Sequence, residues 1–152
     1  MARVIDGNNL YYARVEFSTS QQIILSVRKR VGGTETTLAT VTTPLVHVAG
    51  TFVRLRFEVV GSLLRAKVWP VGAGEPEWQV TATDSDLTAA GTIGVRSILS
   101  SANTNTSPQT RYDNFACANP QTWTVVRSVN AISKSHAAGT DVRLATPAVV
   151  AL

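Results

Sequence analysis

From three features of the amino-acid sequence we expect an all-β protein built as an antiparallel β-sandwich. Val, Thr and Ile together make up 45 of the 152 residues, and β-branched side chains favour pleated strands over helices. Apolar and polar residues alternate along many short segments. Glycine, proline and small polar residues fall between those segments, where turns are needed.

Alternation delimits eight predicted strands, at residues 11–17, 22–30, 36–41, 51–60, 63–69, 78–84, 91–99 and 110–117. The odd-numbered residues of the first strand are apolar, and we expect them to face the core: Tyr11, Ala13, Val15 and Phe17. The residues between them are predicted to face solvent: Tyr12, Arg14 and Glu16. A sheet with one buried face and one solvent-exposed face is typical of antiparallel sandwiches.

The clearest unit is a hairpin around Gly61-Ser62, where glycine can take the positive φ that a two-residue turn requires. Counting outward from the turn gives the apolar pairs Val59–Leu64, Phe57–Ala66 and Leu55–Val68. The opposite face carries the polar pairs Glu58–Arg65, Arg56–Lys67 and Arg54–Trp69. The register therefore predicts one apolar and one strongly basic face.

A change in composition at Ala118-Asn119-Pro120 predicts a domain boundary, because proline cannot extend a strand ladder. We expect one domain over residues 1–117 and a small C-terminal β module over residues 118–152. The module is too short to hold a core by itself, so we expect it to dock on another surface. Its last five residues, 148–152, would otherwise form an exposed apolar strand.

The bulk properties argue against several classes of protein. The net charge is +4, but the basic residues are scattered, with Arg28-Lys29-Arg30 the only run, so we do not expect a nucleic-acid partner. No apolar segment is long enough to predict a membrane span, and the first residues do not follow the pattern of a secretion signal. Cys117 is the only cysteine, which rules out an internal disulfide, and we expect it to be half-buried.

Several motifs resemble the latter part of concanavalin A-like (laminin-G-like) jelly-roll domains of bacteriophage tail proteins. They are Leu-Arg-Ala-Lys-Val-Trp-Pro-Val-Gly at 64–72, Glu-Pro-Glu-Trp at 75–78, Asp84, Gly-Thr-Ile-Gly-Val at 91–95 and Asp-Asn-Phe at 113–115. Such jelly rolls have further strands before the position that matches Tyr11. The resemblance therefore implies a domain that is incomplete at its N-terminal side: a fragment, a shortened relative, or a domain completed by another chain.

The C-terminal region resembles a short β module that often closes minor tail proteins of phages infecting actinobacteria. The matching segments are residues 123–130, 134–140 and 142–144, with Asn130-Ala131 in place of the usual Asn-Gly turn. Together the two resemblances imply a virion protein of the phage tail that is soluble in the host cytoplasm before assembly. The partners they imply are host surface glycan, other virion proteins and further copies of the chain.

The basic face of the predicted hairpin is the candidate carbohydrate-binding site. Its residues are Arg54, Arg56, Arg65, Lys67 and Trp69. An indole beside cations can stack on a sugar ring while the guanidinium groups bind its polar substituents. The alternative is a solvated outer sheet, with Glu16 or Glu58 balancing the charge and Trp69 covered by the loop at residues 75–78.

Asp113 is the candidate metal ligand. Many jelly-roll domains that the chain resembles hold a structural Ca²⁺ through an aspartate on a late strand, and at least six oxygen ligands would be needed. The alternative is that Asp113 caps the turn at Asn114-Phe115. A zinc site is not predicted, since one cysteine and two distant histidines cannot supply its ligands.

The sequence does not predict an enzyme. His47 lies in an apolar stretch and His136 in a loop of small residues, and no Gly-x-Ser-x-Gly motif is present. The Glu-x-Asp-x-x-Glu spacing of concanavalin-like glucanases is also missing. Asp84 with Asp86, or Glu75 with Glu77, come nearest to a carboxylate pair, but the two aspartates are better explained as turn residues that bind neighbouring amides. The alternatives to a carbohydrate-binding protein are a purely architectural virion component and, third, a glycan-cleaving enzyme.

Overall fold

The computed structural model describes residues 1–101, 103 and 105–118. The strands of these described residues lie in the first of two compact units, Met1–Phe115, and the second unit is Ala116–Leu152. The predicted C-terminal module, apart from Ala118, lies outside the described residues, so it stays a prediction. The described part of the chain contains no helix of the length and hydrophobicity needed to cross a membrane.

The described residues form two antiparallel sheets and no helix, so the predicted all-β class is confirmed. The seven strands are β1 Ala2–Asp6, β2 Asn9–Phe17, β3 Gln22–Val31, β4 Thr34–Val46, β5 Val53–Val60, β6 Leu63–Pro70 and β7 Val80–Thr83. The first sheet has the order β1-β2-β3-β4 and the second the order β5-β6-β7. Each sheet is thus a meander of consecutive strands.

The two sheets pack face to face, with β2 near β5, β3 near β6 and β4 near β7. Their shared core consists of Tyr11, Ile23, Leu25 and Val27 from the first sheet, Leu64, Ala66, Val68 and Val80 from the second, and Leu87. Burial of these apolar side chains from water is the main force that holds such a sandwich together. The arrangement is consistent with the predicted β-sandwich.

The hairpin prediction is confirmed residue by residue. The pairs from Arg54–Trp69 to Val59–Leu64 have the predicted register, and Gly61 has a φ of +57°. In β2, Ala13 and Val15 pack against the core as predicted. The prediction for Phe17 is wrong: its side chain is 47% exposed, because the last residue of β2 lies beyond the buried core and contacts His47 instead, with the ring centroids 4.3 Å apart.

Two of the predicted strands are wrong, and one strand was missed. Residues 91–99 contain a single bridge, Val4–Thr92, and residues 110–117 contain no strand. An alternating pattern forms a strand only where a neighbouring strand offers an edge long enough to pair with. Because neither segment finds such an edge, Ile98, Leu99 and Phe115 stay exposed. β1 was missed because its five residues are too few to show a pattern.

The segment from Asp84 to Gly94 crosses one end of the sandwich and covers the edge of β1. Leu87 donates its amide hydrogen to the Tyr11 hydroxyl at 3.0 Å, and Arg3 donates to the Leu87 carbonyl at 2.9 Å. Val4 and Thr92 then exchange two backbone hydrogen bonds, each 3.0 Å long. This crossing replaces the regular strand that the sequence predicts here.

Candidate functional site

The five residues of the candidate carbohydrate site lie on β5 and β6 and are brought together by the ladder. Arg54 is directly opposite Trp69, and Arg56 is directly opposite Lys67. Because side chains alternate between the faces of a strand, these residues and Arg65 point away from Leu64, Ala66 and Val68, which fill the core. The predicted site is therefore the outer face of the second sheet.

The indole at the centre of this face is Trp78 rather than Trp69. The guanidinium carbon of Arg65 lies 4.4 Å from the Trp78 ring centroid, that of Arg56 lies 5.8 Å away, and the Lys67 Nζ atom lies 4.6 Å away. Cations at these distances are attracted by the negative face of an indole. Trp78 itself is half-buried, so part of the side chain stays accessible.

Trp69 is 8% exposed and does not belong to the cluster between the sheets. It is therefore buried on the outer face rather than available there, while its covering by residues 75–78 stays a prediction. The loop between β6 and β7 is fixed over this face by Lys67, whose Nζ atom donates a 2.8 Å hydrogen bond to the Pro76 carbonyl. Glycines at 72 and 74 and the proline at 76 were the sequence signal for a reversing loop, but they do not indicate where the loop lies.

Two carboxylates balance part of the positive charge. Glu58 accepts a 2.7 Å hydrogen bond from Arg65 Nε, so the prediction that Glu58 balances this face is confirmed. Glu16 pairs instead with Arg14, on the first sheet. Glu75, which the sequence did not single out for this role, lies with its Oε1 atom 2.8 Å from Arg56 Nη1 and 2.9 Å from Lys67 Nζ.

The electrostatics of Glu75 follow from these contacts. The hydrogen bonds from Lys67 and then Arg56 lower the pKa of the Glu75 carboxyl below its ordinary value of 4.5, so the group is ionised at neutral pH. Arg54 has no hydrogen-bonding or ionic partner within the described residues. Four cations thus share this face with the carboxylates Glu58 and Glu75, which contact three of them, and these six groups together keep a positive charge.

Asp113 is exposed, and its Oδ1 atom accepts a 2.8 Å hydrogen bond from the Asn114 amide. Asn114 has a φ of +53°, in the left-handed region that asparagine tolerates. This hydrogen bond agrees with the capping role predicted as the alternative to a metal ligand, although residues 113–115 form no regular turn. The described residues contain no group of three or more His, Cys, Asp or Glu that could hold a metal ion, and calcium at Asp113 stays a prediction.

The Asp84–Asp86 pair forms the predicted turn, since the Asp86 amide donates a 3.0 Å hydrogen bond to Asp84 Oδ1. In addition, Lys29 Nζ lies 2.5 Å from Asp84 Oδ2 and 2.5 Å from Asp86 Oδ2, and the Tyr11 hydroxyl donates to Asp84 Oδ1. Burial raises the pKa of Asp84, but the hydrogen bonds from Lys29 and Tyr11 outweigh it and leave the pKa below 3.8. A lysine thus bridges the two carboxylates.

The remaining candidates are not brought together. His47 contacts Phe17, and His136 lies outside the described residues. Cys117 is exposed, so the expectation that it is half-buried is wrong, because the predicted strand that would have covered it does not form. When the chain is compared with family models, with curated proteins and with solved structures, nothing matches it.

Proposed function

We propose that the chain is a non-enzymatic, tail-associated phage structural protein whose β-sandwich binds carbohydrate of the host surface. The phage assignment is supported by the sequence resemblance of residues 64–72 and of the C-terminal module. The binding assignment is supported by one observation above the others: Trp78 lies against Arg56, Arg65 and Lys67 on the outer face of the second sheet.

This arrangement offers both kinds of contact that a sugar requires. The accessible part of the Trp78 indole can stack on the apolar face of a pyranose ring. Arg54 and Arg56 are exposed and can donate hydrogen bonds to hydroxyl, carboxylate or phosphate groups. In the proposal Trp78 takes the stacking role that was expected of Trp69, since Trp69 is only 8% exposed.

The concanavalin A-like jelly roll belongs to the same proposal. A jelly roll passes its strands back and forth between its two sheets, whereas the described strands form two meanders joined by one connection between β4 and β5. The two-sheet architecture supports a sandwich of this general kind. The specific assignment depends on the sequence resemblance, and further strands would have to complete the jelly roll.

Isothermal titration against purified actinobacterial wall polysaccharide tests the binding function. We expect Trp78→Ala to weaken binding about tenfold, since stacking of an aromatic ring contributes on the order of 1 kcal/mol or more. Phe17→Ala is the matched control, because it removes an exposed aromatic ring from the other sheet. Absence of binding to every wall fraction would refute the proposal, and new reducing ends after incubation would show an enzyme instead.

A purely architectural role is the second candidate, and a separate observation favours it. A groove of about 500 Å³ lies at the end of the sandwich near the β4–β5 connection and is lined mainly by apolar residues. Val46, Val48 and Val71 line it and are each more than half exposed, at 62%, 57% and 53%. Contiguous exposed apolar surface of this kind often marks a contact between proteins.

Light scattering separates the two candidates. An architectural component assembles from several copies at micromolar concentration, and Val48→Glu should dissociate that assembly if the groove is the contact. Removal of residues 118–152 should dissociate it if the C-terminal module is the contact. A strict monomer at all concentrations would contradict self-assembly while leaving carbohydrate binding untouched.

A further inference from the structure

The charge arrangement around Glu75 indicates what kind of carbohydrate the proposed site takes. Arg56 and Lys67 are directly opposite each other on neighbouring strands, and like charges in that position repel. The loop between β6 and β7 supplies the anion that separates them, because Glu75 Oε1 lies 2.8 Å from Arg56 Nη1 and 2.9 Å from Lys67 Nζ. The sheet thus contains an anion-binding position that the chain itself fills.

The contact that fills this position is one that a ligand can replace. The side chains of Glu75 and Arg56 are 41% and 54% exposed, and an ion pair so open to water is weak. The Lys67 side chain, the other partner of Glu75, is only 10% exposed. Because the Glu75 side chain is itself 41% exposed, it can turn away from Arg56 toward solvent.

The rest of the loop has its own attachments to the sheet. Lys67 still donates to the Pro76 carbonyl at 2.8 Å, and the Gln79 side chain bonds the Val68 backbone at 2.9 and 3.1 Å. Trp78, between these two attachments, would stay where it is when Glu75 leaves. An incoming anion would then lie between Arg56 and Lys67 with an indole beside it.

We propose that the ligand is an anionic polysaccharide, whose carboxylate or phosphate group binds between Arg56 and Lys67 in place of Glu75. Glu75 acts as an internal competitor: it lowers the affinity of the site for anionic ligands but does not prevent them from binding. This inference rests on the proposed carbohydrate-binding function and adds to it the charge of the ligand. Uronate polymers and teichoic acids both carry such groups, and the experiment distinguishes them.

The test is titration of the full chain with three probes at fixed ionic strength: alginate oligosaccharide, glycerol-phosphate teichoic acid and neutral dextran. We expect at least one anionic probe to bind at least tenfold more tightly than dextran. Glu75→Gln removes the competitor and should tighten that binding about threefold to tenfold, because the Arg56–Glu75 pair that it breaks is of the weak, exposed kind. Arg56→Gln should weaken it by about tenfold.

Two control variants separate this site from the general charge of a basic protein. Glu77→Gln changes the net charge by the same amount as Glu75→Gln and lies in the same loop, and it should alter affinity less than twofold. Arg14→Gln removes a positive charge from the first sheet and should also have little effect. If Glu77→Gln changes the affinity as much as Glu75→Gln does, and Arg14→Gln as much as Arg56→Gln does, the attraction is nonspecific and the inference is wrong.

The remaining outcomes are equally decisive. Preference for alginate or for teichoic acid identifies carboxylate or phosphate as the group recognised, and either supports the inference. Dextran bound as tightly as the anionic probes, with no effect of Glu75→Gln, would overturn the inference and leave carbohydrate binding intact. If none of the three probes and no wall polysaccharide binds, both the inference and the proposed function fail.

Discussion

The side-chain amide of Gln79 forms two hydrogen bonds with the backbone of Val68: its Oε1 atom accepts from the Val68 amide at 2.9 Å, and its Nε2 atom donates to the Val68 carbonyl at 3.1 Å. The Gln79 backbone amide also donates to the Ala66 carbonyl at 3.2 Å. The side chain thus takes the place of a peptide group and continues the ladder one step beyond β7. It fixes the loop that carries Trp78 to the edge of β6.

Replacing Gln79 by alanine should destabilise the protein, because it leaves a donor and an acceptor of the fully buried Val68 without partners. An unsatisfied buried group costs about 1–3 kcal/mol, so we expect a loss of about 2 kcal/mol in the free energy of unfolding, measured by urea denaturation. Gln109→Ala is the control, since Gln109 is exposed. Equal stability of the two variants would contradict the role given to Gln79.

Lys29 and Asp84 form an ion pair whose contribution to stability depends on pH. Hydrogen bonds to Asp84 and Asp86 raise the pKa of Lys29 above 10.5, and the pKa of Asp84 is lowered below 3.8. A lowered carboxylate pKa stabilises the folded state above the unfolded value and ceases to do so as the pH falls through the folded value. A raised lysine pKa stabilises below the unfolded value, and that contribution fades as the pH rises through the folded value.

We therefore expect the pair to contribute fully between about pH 5 and pH 10. Lys29→Met should lower the free energy of unfolding at pH 7 by about 2 kcal/mol, since it leaves Asp84 poorly hydrated and without its cation. The difference from the parent should shrink as the pH falls below about 4, because Asp84 then takes up a proton in the unfolded chain before it does so in the folded one. Arg14→Met is the control: it breaks an exposed ion pair and should lower the free energy of unfolding by less than about 0.5 kcal/mol. If the destabilisation by Lys29→Met does not change with pH, the role given to the Lys29–Asp84 pair is contradicted.

Gly91 allows the chain to cross close to β1. A Cβ atom at this position would lie 2.7 Å from the Arg3 carbonyl carbon and 2.8 Å from two backbone atoms of Val4. Backbone cannot yield as a flexible side chain can, so Gly91→Ala should break the Val4–Thr92 bridge and cost about 2 kcal/mol or more. Thermal unfolding measures this change.

Gly94→Ala is the matched control for Gly91→Ala. The nearest atom to an added Cβ there is the end of the Met1 side chain, at 3.4 Å, and a methionine side chain can move aside. We expect the control to change the melting temperature by no more than about 2 °C. A Gly91→Ala variant as stable as this control would show that the crossing is looser than described.

Local sequence patterns predicted the parts of the fold that depend on neighbouring residues. The Gly61-Ser62 turn set the register of β5 against β6, and that register placed Glu58 opposite Arg65. Patterns failed where a segment needed a distant partner. Residues 91–99 alternate as strands do, yet they find only Val4 to pair with at Thr92, and β1 became a strand through its pairing with β2.

The candidate site divides in the same way. The order of residues alone was enough to predict that Arg56, Arg65 and Lys67 share the outer face of one hairpin, because two-residue periodicity and a tight turn fix the side of the sheet on which each side chain lies. The positions of Trp78 and Glu75 against those cations could be read only from the folded chain. Periodicity predicts the face of the sheet on which a side chain lies. It does not predict which distant loop packs over that face, because the packing of the loop depends on contacts throughout the folded chain.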